Sequence, residues 1–140
     1  MAQAEGRSYD FLDTSHIDTG CLETFGYEGY RQFIQYKSAE FSAVCPFSGL
    51  PDIGTVILEY IPEKSIVELK SYKYYLVSFR NVGVYQEQAT SRIFGDLWTA
   101  LQPAYLKVAT IYNTRGGIDT TCVVEQGDRS PYTADPIPGY

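Results

Sequence analysis

Between residues 55 and 124 the spacing of apolar side chains changes from two to three or four and back to two, and this order of periods restricts the fold more than any other feature of the sequence. Thr55-Val56-Ile57-Leu58-Glu59-Tyr60-Ile61 reads as a strand, rich in β-branched and aromatic residues. Leu69, Tyr72, Leu76 and Phe79 then recur at intervals of three and four and predict a helix over about 68–80. Asn81-Val82-Gly83 interrupts it. A second helix follows over about 85–101, with Ala89, Ile93, Leu97 and Leu101 as its buried stripe, and Pro103 prevents continuation. Residues 106–112 and 118–124 return to strand composition and are joined across Asn113-Thr114-Arg115-Gly116-Gly117, which reads as a hairpin turn. Upstream, 31–37 and 40–44 are two more runs of β-formers, and Cys45-Pro46-Phe47-Ser48-Gly49-Leu50-Pro51-Asp52 is a loop between strands, dense in turn residues. The order strand, strand, helix, helix, strand, strand (ββααββ) predicts an α+β fold, an antiparallel sheet with two helices on one face.

At 140 residues and 44% hydrophobic content the chain supports one domain with a real core. Its limits are expected at 30–126, between an N-terminal extension over 1–29, polar and without sustained period, and a Pro-, Asp- and Gly-rich tail over 127–140. A small sheet with one face covered leaves its other face and its edges exposed, which assembly usually resolves, so a ring-like homo-oligomer is expected. The 13 tyrosines suit such interfaces. A net charge of −6 disfavours direct nucleic-acid binding, and no apolar run approaches the roughly 20 residues that cross a bilayer, so a cytoplasmic protein without membrane contact is expected. Three cysteines without a CxxC pair suit neither a disulfide framework nor a zinc cage, and the single histidine, His16, rules against a histidine-based triad or metal site. The expected metal content is none.

Several residues have a chemical reading beside a plain one. Cys45 ends a strand before a loop shaped by Pro46, Gly49 and Pro51, with Asp52 across the return; it is either a nucleophile or a small buried hydrophobe. Lys70 and Lys73 lie three apart on one helical face, where two cations are either solvated or seat an anion such as a cofactor phosphate. Glu87, after Gln86, opens the second helix, where a carboxylate already meets the positive helix end. Arg115 offers a fork to a phosphate or simply turns a hairpin. No GxGxxG follows a strand, so a nicotinamide cofactor would not bind in the Rossmann manner.

Two of these segments resemble a known family. Glu68-Leu69-Lys70-Ser71-Tyr72-Lys73-Tyr74-Tyr75 looks like the helix signature of the QueF nitrile reductases, and Cys45 to Asp52 resembles their nucleophile loop; Ser78-Phe79-Arg80-Asn81 and Arg115-Gly116-Gly117 also fit, in register from about Glu40 to Ile118. The resemblance implies a tunnelling fold, in which subunits close their sheets into a barrel with helices outside, commonly as two stacked pentamers with active sites between neighbours. It implies NADPH-dependent reduction of 7-cyano-7-deazaguanine to the aminomethyl compound, a step toward queuosine in tRNA. Cys45 would add to the nitrile carbon to give a thioimide, a better hydride acceptor than a nitrile, and Asp52 would supply the proton. Glu87 would hold the guanine-like edge of the base, with Gln86 beside it; Val67, Glu68 and Leu69 would line the base, and Lys70, Lys73 and Arg115 would take the NADPH phosphates. The family often has His where this chain has Gln86, and glutamine donates a hydrogen bond but shuttles no proton. The related amidinotransferases, which act on the same nitrile group in tRNA, resemble the family around the cysteine but lack the helix signature.

Overall fold

The computed structural model describes residues 5–132, and in them the two periods of the sequence become two layers. The elements are β1 (Thr24–Gly26), β2 (Ile34–Val44), β3 (Pro51–Ile61), β4 (Ser65–Val67), α1 (Leu69–Val77), α2 (Gln86–Leu101), β5 (Tyr105–Arg115) and β6 (Ile118–Gly127). Strands β2, β3, β5 and β6 form one antiparallel sheet in that order. The helix pair packs on one face of it, the expected α+β arrangement. Val56, Leu58 and Tyr60 of β3 and Leu106, Val108 and Tyr112 of β5 form one buried cluster with Tyr72, Tyr75 and Leu76 of α1 and Ala89, Ile93, Leu97 and Leu101 of α2. Each larger aliphatic or aromatic side chain in it contributes about 1.5–3 kcal/mol by leaving water.

Local chemistry sets the element ends. The Glu68 carboxylate accepts from the N–H groups of Lys70 (2.9 Å) and Ser71 (2.7 Å) and so starts α1. The helix stops at Val77, earlier than the spacing of Phe79 suggests, because the chain tightens into i→i+3 bonds, Phe79 N–H to Leu76, Arg80 N–H to Val77 and Val82 N–H to Phe79. Gln102, in the left-handed region at φ 48°, closes α2 before Pro103. Gly116 and Gly117 both have positive φ (59° and 75°), which a two-residue hairpin between right-twisted strands requires.

Two β-bulges aim side chains. In β2 the register slips by one residue between Ser38, opposite Val56, and Phe41, opposite Gly54. The two β-rich runs at 31–37 and 40–44 are therefore one strand whose alternation changes phase. Phe41 and Ala43 consequently face the helices, as Asp52 does opposite Ala43. A second slip between Tyr112 and Arg115 in β5 turns Arg115 to the same side.

The N-terminal residues are more ordered than their polarity suggests. Short 3-10 turns at Thr14–His16 and Thr19–Cys21 are capped by Asp13 and Asp18, Ile17 enters the core, and β1 pairs with β4. Three-residue strands and one-turn helices leave no period to read. Of the tail expected to be loose, residues 128–132 are fastened: Arg31 donates to the carbonyls of Asp128 and Ser130 (both 2.9 Å), and the Arg129 guanidinium lies over Phe33 and Tyr105. Residues 133–140 lie outside the described residues. The sheet face away from the helices exposes Ile53, Ile111 and Val123 around a cross-strand row of Gln35, Glu59, Lys107 and Glu125.

Candidate active site

The loop after β2 closes on itself. Cys45 N–H donates to Leu50 (2.8 Å), Gly49 N–H donates back to Cys45 (2.9 Å), and Gly49 takes φ 74° with its α-carbon against the Tyr9 carbonyl, so close that a Cβ there would lie 2.3 Å from that oxygen. Tyr9 N–H donates to Ser48 (2.8 Å), so the N-terminal segment lies across this loop. The turn directs the backbone N–H groups of Ser48 and Phe47, and the Ser48 hydroxyl, at the Cys45 sulfur. Those hydrogen bonds lower the thiol's pKa, against smaller opposing effects of burial and the nearby Asp52 charge. Cys21 is the opposite case: burial pushes its thiol up, and the sulfur donates to the Asp18 carbonyl at 3.1 Å. Cys122, half-buried on β6, stands opposite Thr110.

A pH profile checks this activation. Alkylation of Cys45 by iodoacetamide, followed by peptide mass, is expected to reach half-maximal rate at a pH below that of a free thiol, because the thiolate is the attacking form. Ser48→Ala removes one donor to the sulfur and is expected to move that midpoint upward. An unmoved midpoint would show that the Ser48 hydroxyl does not hold the thiolate.

Cys45 and Pro46 border a cleft of about 470 Å3 whose other walls include Asp52 of β3, Gln86 and Glu87 of α2, and Arg115 of the β5–β6 hairpin. Asp52 is buried, and Arg115 Nη1 donates to its Oδ1. The cleft thus combines a polarised thiol, a buried carboxyl under a guanidinium, and a second carboxylate on the first turn of α2. Among the described residues no side chain caps α2 at Tyr85, and the N-terminal turn of the helix, the positive end of its dipole, stands at the cleft wall.

Five of the residues singled out in the sequence, Cys45, Asp52, Gln86, Glu87 and Arg115, meet here. The other five do not line this cleft. Val67 is buried in β4, Glu68 caps α1, and Leu69, Lys70 and Lys73 are exposed on α1, Lys70 lying over the Tyr74 ring. Sequence reasoning missed Tyr85, Asn113 and Thr120, which also line the cleft. Tyr85 had a signal, an aromatic residue at the start of a helix; Thr120 reaches the cleft from its place opposite Tyr112, and Asn113 lies in the second bulge, which composition does not announce.

The chain is also similar to known proteins along most of its length. The family model described as QueF-like protein matches residues 51–131. The chain is 57% identical over 122 residues, 86% of its length and 89% of the relative's, to the NADPH-dependent 7-cyano-7-deazaguanine reductase of Thermotoga petrophila. It is 44% identical over 119 residues, 84% of the chain and 91% of the relative, to the reductase of the same name from Caldicellulosiruptor bescii. Among solved structures it superposes on the apo form of an archaeosine synthase QueF-Like with a TM-score of 0.64 and 25% identity, over 69% of this chain and 94% of that one. With a family match over more than half of its residues and reductase relatives aligned along nearly their whole length, the chain belongs to the QueF family and has its tunnelling-type α+β fold.

Proposed function

We infer that this protein uses NADPH to reduce the nitrile of 7-cyano-7-deazaguanine to an aminomethyl group, the activity named for its relatives. The observation that carries the reading is the cleft in which a thiol with a lowered pKa, Cys45, stands with a buried carboxyl, Asp52. A thiolate adds to a nitrile carbon without expelling a leaving group, and the nitrogen that gains the electron pair needs a proton from a nearby acid. Asp52 is the carboxyl to deliver it; Arg115 orients it. The Glu87 carboxylate accepts from the ring N–H and exocyclic amine of the base, and Gln86 beside it donates. Binding the base at α2 sets the nitrile over the sulfur, which turns a bimolecular addition into an intramolecular one.

Held here, two successive NADPH molecules would each supply one hydride, one for the thioimide carbon and one for the imine that remains once the Cys45 thiol has left. The residues present suit its phosphates. Arg115, a cation of the cleft wall, is engaged by Asp52, whereas Lys70 and Lys73 stand exposed on α1 with no salt bridge among the described residues. Lys70→Ala and Lys73→Ala are each expected to raise the KM for NADPH by roughly ten- to a hundredfold, the value of a lost charge-assisted hydrogen bond. Adduct formation at Cys45, which needs no cofactor, is expected to stay unchanged in both. Normal NADPH kinetics in the double variant would reduce the pair to a solvated helix face.

Val67, Glu68 and Leu69 reach a substrate if a neighbouring protomer presents them, which fits a homo-oligomer in which sites form between subunits. The edge strands of the four-stranded sheet, β2 and β6, and the apolar side chains on its open face support a ring closed through the sheets. Light scattering on the eluting protein measures the assembly. The decisive assay for the reaction follows NADPH absorbance with the cyano-deazaguanine and identifies the amine by mass; no NADPH oxidation would refute the reading.

A further inference from the structure

We propose that the groove at the C-terminal end of α1, lined by Leu12, Tyr74, Val77, Ser78, Arg80 and Asn81, holds the 2′-phosphoadenosine end of NADPH, with Arg80 and Asn81 on the phosphate and the Tyr74 ring against the adenine. The inference rests on the reading of the chain as an NADPH-dependent reductase and goes beyond the lysine pair.

The chain carries eleven lysines and arginines. Arg31, Arg92, Lys107, Arg115 and Arg129 are occupied, by the Asp128 and Ser130 carbonyls, Asp96, Glu59, Asp52 and the Phe33–Tyr105 rings respectively, and Arg7 has a partner too. Of the remaining five, Lys37, Lys64, Lys70, Lys73 and Arg80, none forms a salt bridge among the described residues, and Lys70 lies over the Tyr74 ring. Three of them, Lys70, Lys73 and Arg80, belong to α1 and its exit turn. The carboxylate nearest in sequence, Glu68, is spent on two backbone N–H groups. On a chain of net charge −6 this is a cationic face, complementary to a cofactor that carries three phosphates.

Within that face the groove of about 770 Å3 pairs the right chemistries. An arginine fork binds a terminal phosphate through two parallel hydrogen bonds, and arginine is the residue that accommodates the 2′-phosphate in other NADP sites. The phosphate that distinguishes NADPH sits on the ribose next to the adenine, so a phosphate site and an aromatic platform in one groove match it. Tyr74 is 57% exposed, flanked by the half-exposed Val77 and Leu12. The groove also lies near the reacting centre: Val44 N–H donates to Val82 (3.0 Å) and Val84 N–H to Val44 (3.1 Å), so the segment from Arg80 to Glu87 runs from the groove past the residue before Cys45 into the cleft. Asn81 and Tyr85 are four residues apart, at most about 14 Å, a span that an extended dinucleotide bridges.

The test uses the full-length protein and two probes, adenosine 2′,5′-bisphosphate and adenosine 5′-monophosphate, titrated by calorimetry. The unaltered protein is expected to prefer the bisphosphate. Arg80→Ala should weaken the bisphosphate by roughly ten- to a hundredfold and leave the monophosphate unchanged, Arg80→Lys should fall between, and Tyr74→Ala should weaken both probes. In turnover, Arg80→Ala should raise the KM for NADPH and not that for NADH. Melting temperature and Cys45 adduct formation report that the variants are folded. Equal bisphosphate affinity in the unaltered protein and Arg80→Ala, or no preference for the bisphosphate at all, overturns the proposal. Absence of NADPH oxidation by the unaltered protein would sink the reductase reading instead, so the two failures are distinguishable.

Discussion

Cys45→Ala is expected to end nitrile reduction, a loss of roughly a thousandfold or more, and to remove the covalent adduct that the unaltered protein forms with the nitrile when NADPH is withheld. Intact mass reads both states. Addition to a nitrile expels nothing, so the unaltered protein should gain the mass of the whole substrate, once per chain, and the alanine variant should gain none. The expectation for Cys45 rather than another thiol comes from the turn that follows it: two backbone N–H groups and the Ser48 hydroxyl favour its thiolate, while burial pushes the Cys21 thiol up. Base binding should survive in the variant, because Glu87 and Gln86 stand on α2 and owe nothing to the sulfur. An adduct found at Cys21 or Cys122 would remove the mechanism.

The layers of the fold were legible in the sequence because period is a local property. The stripe of Ala89, Ile93, Leu97 and Leu101 specifies α2, and the Gly116-Gly117 pair specifies the hairpin, with no knowledge of the rest of the chain. The bulges were not legible, although they decide where the chemistry goes. An extra residue near Ala39 looks like the end of one β-run and the start of another; only its pairing with β3 shows that the strand continues in the opposite phase and carries Cys45 to the side of Asp52. Family resemblance proposed residues for the site, but it could not state which of them the chain brings together. The division follows from topology: β2, β3, α2 and the hairpin converge on one cleft, while the motif from Glu68 to Lys73 runs along α1, away from it. Glu68 illustrates the difference, since its carboxylate caps α1, a role that neither the motif nor the spacing announced.

Asp52→Asn is expected to retain the base and to lose turnover by roughly a hundred- to ten-thousandfold, because the amide keeps the shape of the side chain and has no proton to give. Arg115 makes the experiment more informative. Resemblance assigns this guanidinium to a cofactor phosphate, whereas in the structure it donates to the buried Asp52 carboxyl from the hairpin, where a bulge has turned it inward. The two roles predict different arithmetic. If Arg115 works through Asp52, Arg115→Ala slows turnover in the native background by leaving a buried carboxyl without its partner, but costs almost nothing further once Asp52 is already asparagine; the pair is coupled. If instead it holds a phosphate, Arg115→Ala raises the KM for NADPH by the same factor in both backgrounds and the effects add. The geometry favours coupling, with the KM for NADPH nearly constant across all four proteins and kcat carrying the change. Should Asp52→Asn turn over at the native rate, another group protonates the nitrogen, and the Asp52 to Arg115 bond is a brace for the hairpin.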